Sequence, residues 1–358
     1  MVAVPRVTSE QAEEIALRYY GMSAGAERLA AEHDDVFRLT TRAGRSRLLK
    51  ISVAGAAAEP VSFQTAILLH LERTAPQLPV QRVVAAPDGA PEVRVPGGEG
   101  PARLVTMTSW LDGELLGRAA VSAALRRDTG ATLARLNVAL RGLRHPGARR
   151  THRWDLQGFW RLRPLLDELP GSGLLPEVAR ALPAGTTVPA GGLRAALADC
   201  LDRFDRHVRP RLARTPAQVI HTDFHGDNLL TDGRRITGIL DFGDALAGPV
   251  AMDVGVAACY QLGAAPELLP PALDLVTGYH SVQPLGPDDL ALAAEFTVAR
   301  VAARIIVSQW NAVREPANRG YLLRRTPQAI EHLAGLRLLT PGEITRSLRA
   351  ACGTSRGM

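Results

Sequence analysis

Asp223 and Asn228 lie in the stretch HTDFHGDN (221–228), and Asp241 lies in ILDFGD (239–244), of this 358-residue sequence. A carboxylate and an amide oxygen at matching depth suit Mg²⁺, which takes hard oxygen ligands and keeps water and substrate phosphates in its shell. A second carboxylate nearby can orient an alcohol and accept its proton. With a cation on the phosphates of a nucleotide, that is the inventory of phosphoryl transfer, where catalysis is mostly positioning and charge neutralisation. Lys50, in SRLLKIS (46–52), can supply the cation. It is the only lysine of the chain; every other one of the 42 basic residues is arginine. A compact ammonium meets a phosphate as a point charge in a tight pocket, which a planar guanidinium does badly.

A competing pattern runs through the same stretch. His221, Asp223, His225 and Asp227 alternate, and on a strand all four would face one side as metal ligands. Gly226-Asp227-Asn228 reads as a turn, which breaks that alternation, and a metal cluster leaves Lys50 and the turn at Asp241-Phe242-Gly243 without a role.

The elements around these residues can position them. Val219-Ile220 is a short strand entry, and NLL, Asp232-Gly233 and ITGIL read as a β-hairpin through an Asp-Gly turn. A hairpin brings its ends together, so Asp223 and Asn228 before it can converge with Asp241 after it. Lys50 falls on the third strand of ERLAAEHDDVFRLTTRAGRSRLLKIS, which breaks at His33-Asp34-Asp35 and turns at Arg42-Ala43-Gly44. PVSFQTAILLHLERT has helical periodicity; PVQRVVAAP, PEVRV and ARLVTMTSWLDG read as further strands. An amphipathic helix capped by Thr8 with Gln11 precedes them all. From residue 112 onward the pattern is helical, apart from the interlude at 217–243. The segments 142–154 and 182–192 read as flexible connections. The expectation is an α+β protein of two lobes: 1–111, a small sheet with one inserted helix, and 112–358, mostly helical.

Composition excludes several classes. Hydrophobic residues make up 46% of the chain and the formal charge is +6, carried by arginines without a basic stripe or interleaved aromatics, so nucleic acid is not an expected partner. Three cysteines, far apart and without ligand spacing, argue against a disulfide framework or structural zinc. The N-terminus has no apolar signal region. The longest apolar stretch, 290–310, is interrupted by Glu295, Arg300 and Arg304, so it reads as a buried helix rather than a membrane span. A cytoplasmic protein is expected.

HTDFHGDN followed by ILDFGD resembles the aminoglycoside phosphotransferase family, which has the two-lobed protein-kinase-like fold. Asp241-Phe242-Gly243-Asp244, the following Pro249 and Asp253, and EPANRGYL (315–322) look closest to its hydroxylysine kinase-like branch. The likeness runs from about residue 25 to about residue 335. The H-x-D-x-x-x-x-N pattern with a following D-F-G is specific, whereas either half alone would be weak. The resemblance implies an ATP- and Mg²⁺-dependent kinase, with Asp223 as catalytic base, Asn228 and Asp241 as metal ligands and Lys50 on the ATP phosphates. His221 and Asp253 would hold the catalytic loop. Adenine would meet the backbone from Thr108 to Leu111, where Trp110 is either a stacking partner or a core residue.

The sequence departs from that pattern in three places. Thr222 stands where many relatives have Gly. No glycine-rich loop precedes Lys50, which leaves Glu32 to Asp35 as the phosphate-covering segment by position. Glu59 is the nearest acid that could pair with Lys50, about one turn early, while Ser62 occupies the expected place.

Only twelve positions separate Asp241 from Asp253, too few for a peptide platform, so the acceptor is expected to be a small alcohol. A hydroxy amino acid would need a carboxylate and an arginine; Arg304 is a candidate for the latter, against a pairing with Glu295. An antibiotic acceptor such as an aminoglycoside would need clustered carboxylates, for which Asp155, Asp244 and Glu315 are available. A catalytically silent relative is the remaining alternative.

Overall fold

The computed structural model describes residues 6–31, 34–97, 100–182, 186, 192–264 and 266–353. It divides into two compact units. The first comprises the chain through Glu114 together with Leu143–Arg149 and Thr237–Gly243, and the second takes the remainder.

In the first unit, α1 (Ser9–Tyr20) starts at a reciprocal capping box between Thr8 and Gln11. It leads into β1 (Gly25–Leu29), β2 (Asp35–Thr40) and β3 (Ser46–Ile51), then α2 (Ala58–Thr74), β4 (Val93–Gly97) and β5 (Gly100–Ser109). The five strands form one antiparallel sheet in the order β1-β2-β3-β5-β4. Side chains alternate across it. Leu49 and Ile51 join Phe37, Leu39, Val105 and Met107 in a core shared with Ala12, Ile15 and Ala16 of α1. Lys50 consequently points to the opposite face, the one that meets α2.

PVQRVVAAP forms no strand. Val80 and Val83 make only isolated bridges, to Ile239 and Thr108, and Arg82 N donates to the side-chain Oγ of Ser109 instead of a backbone carbonyl. Pro79 and Pro87 flank this strip and cannot donate to a ladder. Residues 143–149, expected as part of a flexible connection, are instead fixed on α2: His145 stacks on Phe63 with ring centroids 5.3 Å apart. Most of the segment 182–192 lies outside the described residues.

The second unit takes over at Leu115, within β6 (Glu114–Leu115), and continues through α3 (Ala123–Ala139), α4 (Arg163–Asp167), α5 (Pro176–Ala181), α6 (Leu193–His207) and α7 (Arg209–Leu212). The strands β7 (Gln218–Ile220), β8 (Leu229–Thr231), β9 (Ile236–Ile239) and β10 (Leu246–Gly248) follow, β9 passing into the first unit at Thr237. The helices α8 (Val250–Cys259), α9 (Pro270–Val282), α10 (Pro287–Arg314), α11 (Arg319–Leu323), α12 (Thr326–Arg337) and α13 (Pro341–Ala351) complete it. The 28-residue α10 is buried on most of its surface and packs against α6, α8, α12 and α13. No described helix is long and apolar enough to cross a membrane. A small antiparallel sheet with a helix in the first unit and a mostly helical second unit make an α+β architecture.

Candidate active site

Residues 221–228 form no strand; they connect β7 to β8 as a run of turns. The loop is anchored from below by Asp253, fully buried in the first turn of α8. Its Oδ2 accepts the His221 N–H at 3.1 Å and its Oδ1 the Thr222 N–H at 2.7 Å. Burial pushes this carboxyl up, and the two N–H bonds act against that shift. Thr222 sits at φ 65, a left-handed conformation that strains any side chain but glycine. Such a residue persists only where its surroundings over-determine it. Here its N–H is tied to Asp253 and its hydroxyl donates to the Asp244 carbonyl at 2.7 Å. β10 pairs antiparallel with β7 and so brings Asp244 into range.

His221 is fully buried, and its Nδ1 accepts the Asp223 N–H at 3.3 Å. At the other end of the loop Gly226 has no room for a side chain, since a Cβ there would come within 2.7 Å of the Gly117 backbone. Asp227 is clamped between Arg324 and Arg325 at 3.2 and 2.6 Å.

Asp223 is therefore held by a rigid frame, and its carboxylate accepts three donors. Oδ2 takes His225 Nε2 at 3.1 Å and Asn228 Nδ2 at 2.7 Å. Oδ1 takes Arg300 Nη2 at 2.5 Å. The Asp227 N–H donates to His225 Nδ1, which fixes the proton of a neutral imidazole on Nε2, facing Asp223. A carboxylate has about four lone-pair positions, so one remains open, on Oδ1. Burial alone would push the Asp223 carboxyl up. The hydrogen bond from His225 and the positive charge of Arg300 outweigh it and hold the group well below the usual carboxylate range.

Asn228 uses its amide nitrogen on the Asp223 carbonyl and carboxylate, at 3.0 and 2.7 Å, which turns Oδ1 away as a hard-oxygen acceptor. Asp241 belongs to the other unit. It is exposed, at φ 52, and its Oδ1 accepts the Gly243 N–H at 2.8 Å. A Cβ at Gly243 would lie 2.7 Å from that oxygen, so a side chain there would push the Asp241 carboxylate aside. Asn228 and Asp241 each offer a hard oxygen of the kind that Mg²⁺ takes. Among the described residues, no three His, Cys, Asp or Glu side chains form a metal cluster.

Lys50, also in the first unit, has Nζ 3.3 Å from Asp34 Oδ2 and 3.2 Å from Gln64 Oε1. Glu59 is exposed at the start of α2, away from these partners. The group of α2 that meets Lys50 is thus an amide rather than an acid, about one turn further along. Glu32 and His33 lie outside the described residues, while Asp35 is buried against Arg28 and Arg103. Thr108 is buried and its hydroxyl accepts from Gln81. Trp110 donates to Asp112 and lies under the Arg38 guanidinium, 4.5 Å from its ring centroid.

Of the substrate candidates, Asp155 is buried and caps the turn of 3₁₀ helix at residues 156–162, accepting from Gln157 N at 3.0 Å. Asp244 contributes its carbonyl to His152 as well as to Thr222. Arg304 does not pair with Glu295, which binds Arg203 on the other side of α10; nine residues of helix put Glu295 and Arg304 on opposite faces. Arg300 was visible in the sequence only as an interruption of an apolar run. The available signal was its spacing: four residues before Arg304, on the same face of a helix whose other positions there are apolar.

The family's sequence model, that of the phosphotransferase enzyme family (APH), matches residues 25–296, and the chain belongs to that family. It is a kinase acting on hydroxyl groups. It is 23% identical to a hydroxylysine kinase of Danio rerio over 355 residues, 96% of this chain and 95% of that one. Among solved structures, an amicoumacin kinase in complex with AMP-PNP and Ca²⁺ aligns with a TM-score of 0.66 at 17% identity, covering 89% of this chain and 92% of that one. A microcompartment-associated aminopropanol kinase aligns with a TM-score of 0.62 at 18% identity, covering 97% and 99%. These likenesses establish the protein-kinase-like fold.

Proposed function

We propose that the enzyme transfers the γ-phosphate of ATP, as its Mg²⁺ complex, to a hydroxyl of a small amino alcohol or hydroxy amino acid in the cytoplasm. The observation that carries this reading is Asp223, a carboxylate with every acceptor position filled but one. Its depressed pKa makes it a group that first orients a hydroxyl and takes the proton late, which suits the loose transition state of phosphoryl transfer. Asn228 and Asp241 would hold the Mg²⁺, which would supply positive charge to neutralise the phosphates. Lys50 sets a point charge on the α- and β-phosphates. Residues 1–111 supply the nucleotide-binding groups and 112–358 the catalytic and acceptor-binding groups. Hydroxylysine and aminopropanol, the acceptors named for two relatives, support the acceptor class.

A coupled ADP-release screen over amino alcohols, hydroxy amino acids and aminoglycosides tests this. Release should require both divalent metal and one of the first two classes. A preference for aminoglycosides would redirect the reading to antibiotic modification, and silence across the whole panel would mark an inactive relative.

Lys50→Arg separates a catalytic lysine from a solvated one. A guanidinium is planar and larger, and between Asp34 and Gln64 it would displace a partner or the phosphates. The kcat/KM for ATP should fall at least about tenfold, or about 1.4 kcal/mol of transition-state stabilisation, with an unchanged circular-dichroism spectrum. Kinetics equal to the parent would remove Lys50 from the mechanism.

A further inference from the structure

Two arginines one turn apart on α10 are buried with more N–H groups than the protein offers acceptors. Arg300 is 2% exposed and Arg304 5%. Arg300 Nη2 serves Asp223 Oδ1 and the Tyr260 hydroxyl, but Arg300 Nε and Nη1 and Arg304 Nη2 are buried without a hydrogen-bond acceptor. Arg304 Nη1 reaches only the weak acceptor Cys259 Sγ, at 3.8 Å, and among the described residues no carboxylate pairs with Arg304. Its neighbours do not neutralise it. Burial pushes the Cys259 thiol and the Tyr260 phenol up, and burial together with the Arg304 charge lowers His332 to about 4, so all three are uncharged near pH 7.

An unpaired buried charge costs several kcal/mol, and vacant donors add to that cost. The local charge count asks for one more negative charge: two guanidinium groups face a single carboxylate, Asp223. A monoanion balances that count and a phosphate dianion overshoots it. Trp154 covers the face of Arg300 with 4.6 Å between guanidinium and ring centroid, and Tyr260 lies at the same distance from Arg304. Ring-covered faces leave the guanidinium edges for in-plane pairing, the geometry in which carboxylates bind arginine. Trp154 and Tyr260 are themselves half-buried, so the pair lies one side-chain layer below the surface.

We infer that Arg300 and Arg304 recognise a carboxylate of the acceptor, whose hydroxyl then meets the open position on Asp223 Oδ1 beside Arg300. This rests on the kinase reading and narrows it, from amino alcohols in general to hydroxy acids and hydroxy amino acids.

Matched pairs differing only in the carboxylate test it: L-homoserine against 3-aminopropan-1-ol, and L-threonine against 1-aminopropan-2-ol. The acid of a pair should be preferred at least about tenfold in kcat/KM, and Arg304→Met should abolish that preference by raising KM for the acid about 10–100-fold, the scale of a lost charge-assisted hydrogen bond. The melting temperature of ligand-free Arg304→Met should equal or exceed the parent's, because replacing an unpaired buried charge with an apolar side chain relieves desolvation. A merely structural arginine would lower it. Equal kcat/KM within the pairs, or an unchanged acid preference in Arg304→Met, would overturn the inference while leaving the kinase reading intact. Should no alcohol support ADP release, the kinase reading falls, and thermal stabilisation by L-homoserine and glycolate decides the site. Stabilisation of the parent that is lost in Arg304→Met supports it, and no stabilisation of the parent overturns it.

Discussion

Asp223→Asn is expected to lower kcat by roughly 10²–10⁴, the range for a positioned general base, with the Kd for Mg·ATP almost unchanged. The substitution keeps the shape of the side chain but removes its charge, and it turns one acceptor oxygen into an NH₂ group. That group would face either Arg300 or the pair of donors from His225 and Asn228, all of which now bond a carboxylate. The loop itself is held through the backbone by Asp253 and His221, so it stays folded around the altered side chain. Asp241→Asn should behave differently: with Asp241 in its proposed metal role, the variant weakens Mg·ATP binding itself. Single-turnover rates and nucleotide titrations on the two variants separate the roles, and equal losses of nucleotide affinity in both would contradict the assignment.

The second large effect is expected at Arg300, which touches Asp223 from α10, 77 residues away in sequence. Arg300→Met removes the cation that fixes Oδ1. Misplacing a catalytic group by about 1 Å can cost 10²-fold, so kcat should fall roughly a hundredfold, with the KM for ATP held. Stability should fall too, by roughly 2–4 kcal/mol. Breaking a buried pair costs somewhat more, but Asp223 keeps His225 and Asn228, and two unsatisfied N–H groups leave with the guanidinium. The sign of its pH dependence follows from Asp223, whose folded-state pKa is depressed. Stabilisation from a depressed carboxyl is complete above the unfolded value, near 3.9, and is lost as pH falls through the folded one. The gap in unfolding free energy between parent and Arg300→Met should accordingly be full at pH 7 and shrink below about pH 4. A gap independent of acid would mean that Arg300 stabilises by packing alone.

Much of the fold was legible because it rests on local signals. The strand at SRLLKIS, the Thr8–Gln11 capping box and the Asp232-Gly233 turn are written in adjacent residues. Two segments were not legible because distant partners decide them. PVQRVVAAP has a strand's composition, but its flanking prolines and the Ser109 side chain leave it only isolated bridges, and residues 143–149 became rigid when His145 met Phe63. At the candidate site, charge was an unreliable guide to partners. The sequence pointed to an acid for Lys50, and in α2 the contact is made by Gln64, a neutral amide that no charge pattern reveals. Arg300 and Arg304 looked like flaws in an apolar helix, and only the packing of α8 and α10, which brings Tyr260 and the Asp223 loop against them, shows what they face.

The position of Lys50 has a practical side. Its amine is the only primary amine on any side chain of the protein, and with 29% of the side chain exposed it is within reach of reagents in solution. Acylating chemistry aimed at amines therefore has one internal target, apart from the chain's own terminus, on a scaffold otherwise studded with unreactive guanidinium groups. With Lys50 in its proposed place on the phosphates, bound nucleotide should shield it, so loss of the mass increment on the β3 peptide would report binding, and an isotope or fluorophore placed there would be site-specific without any engineered cysteine.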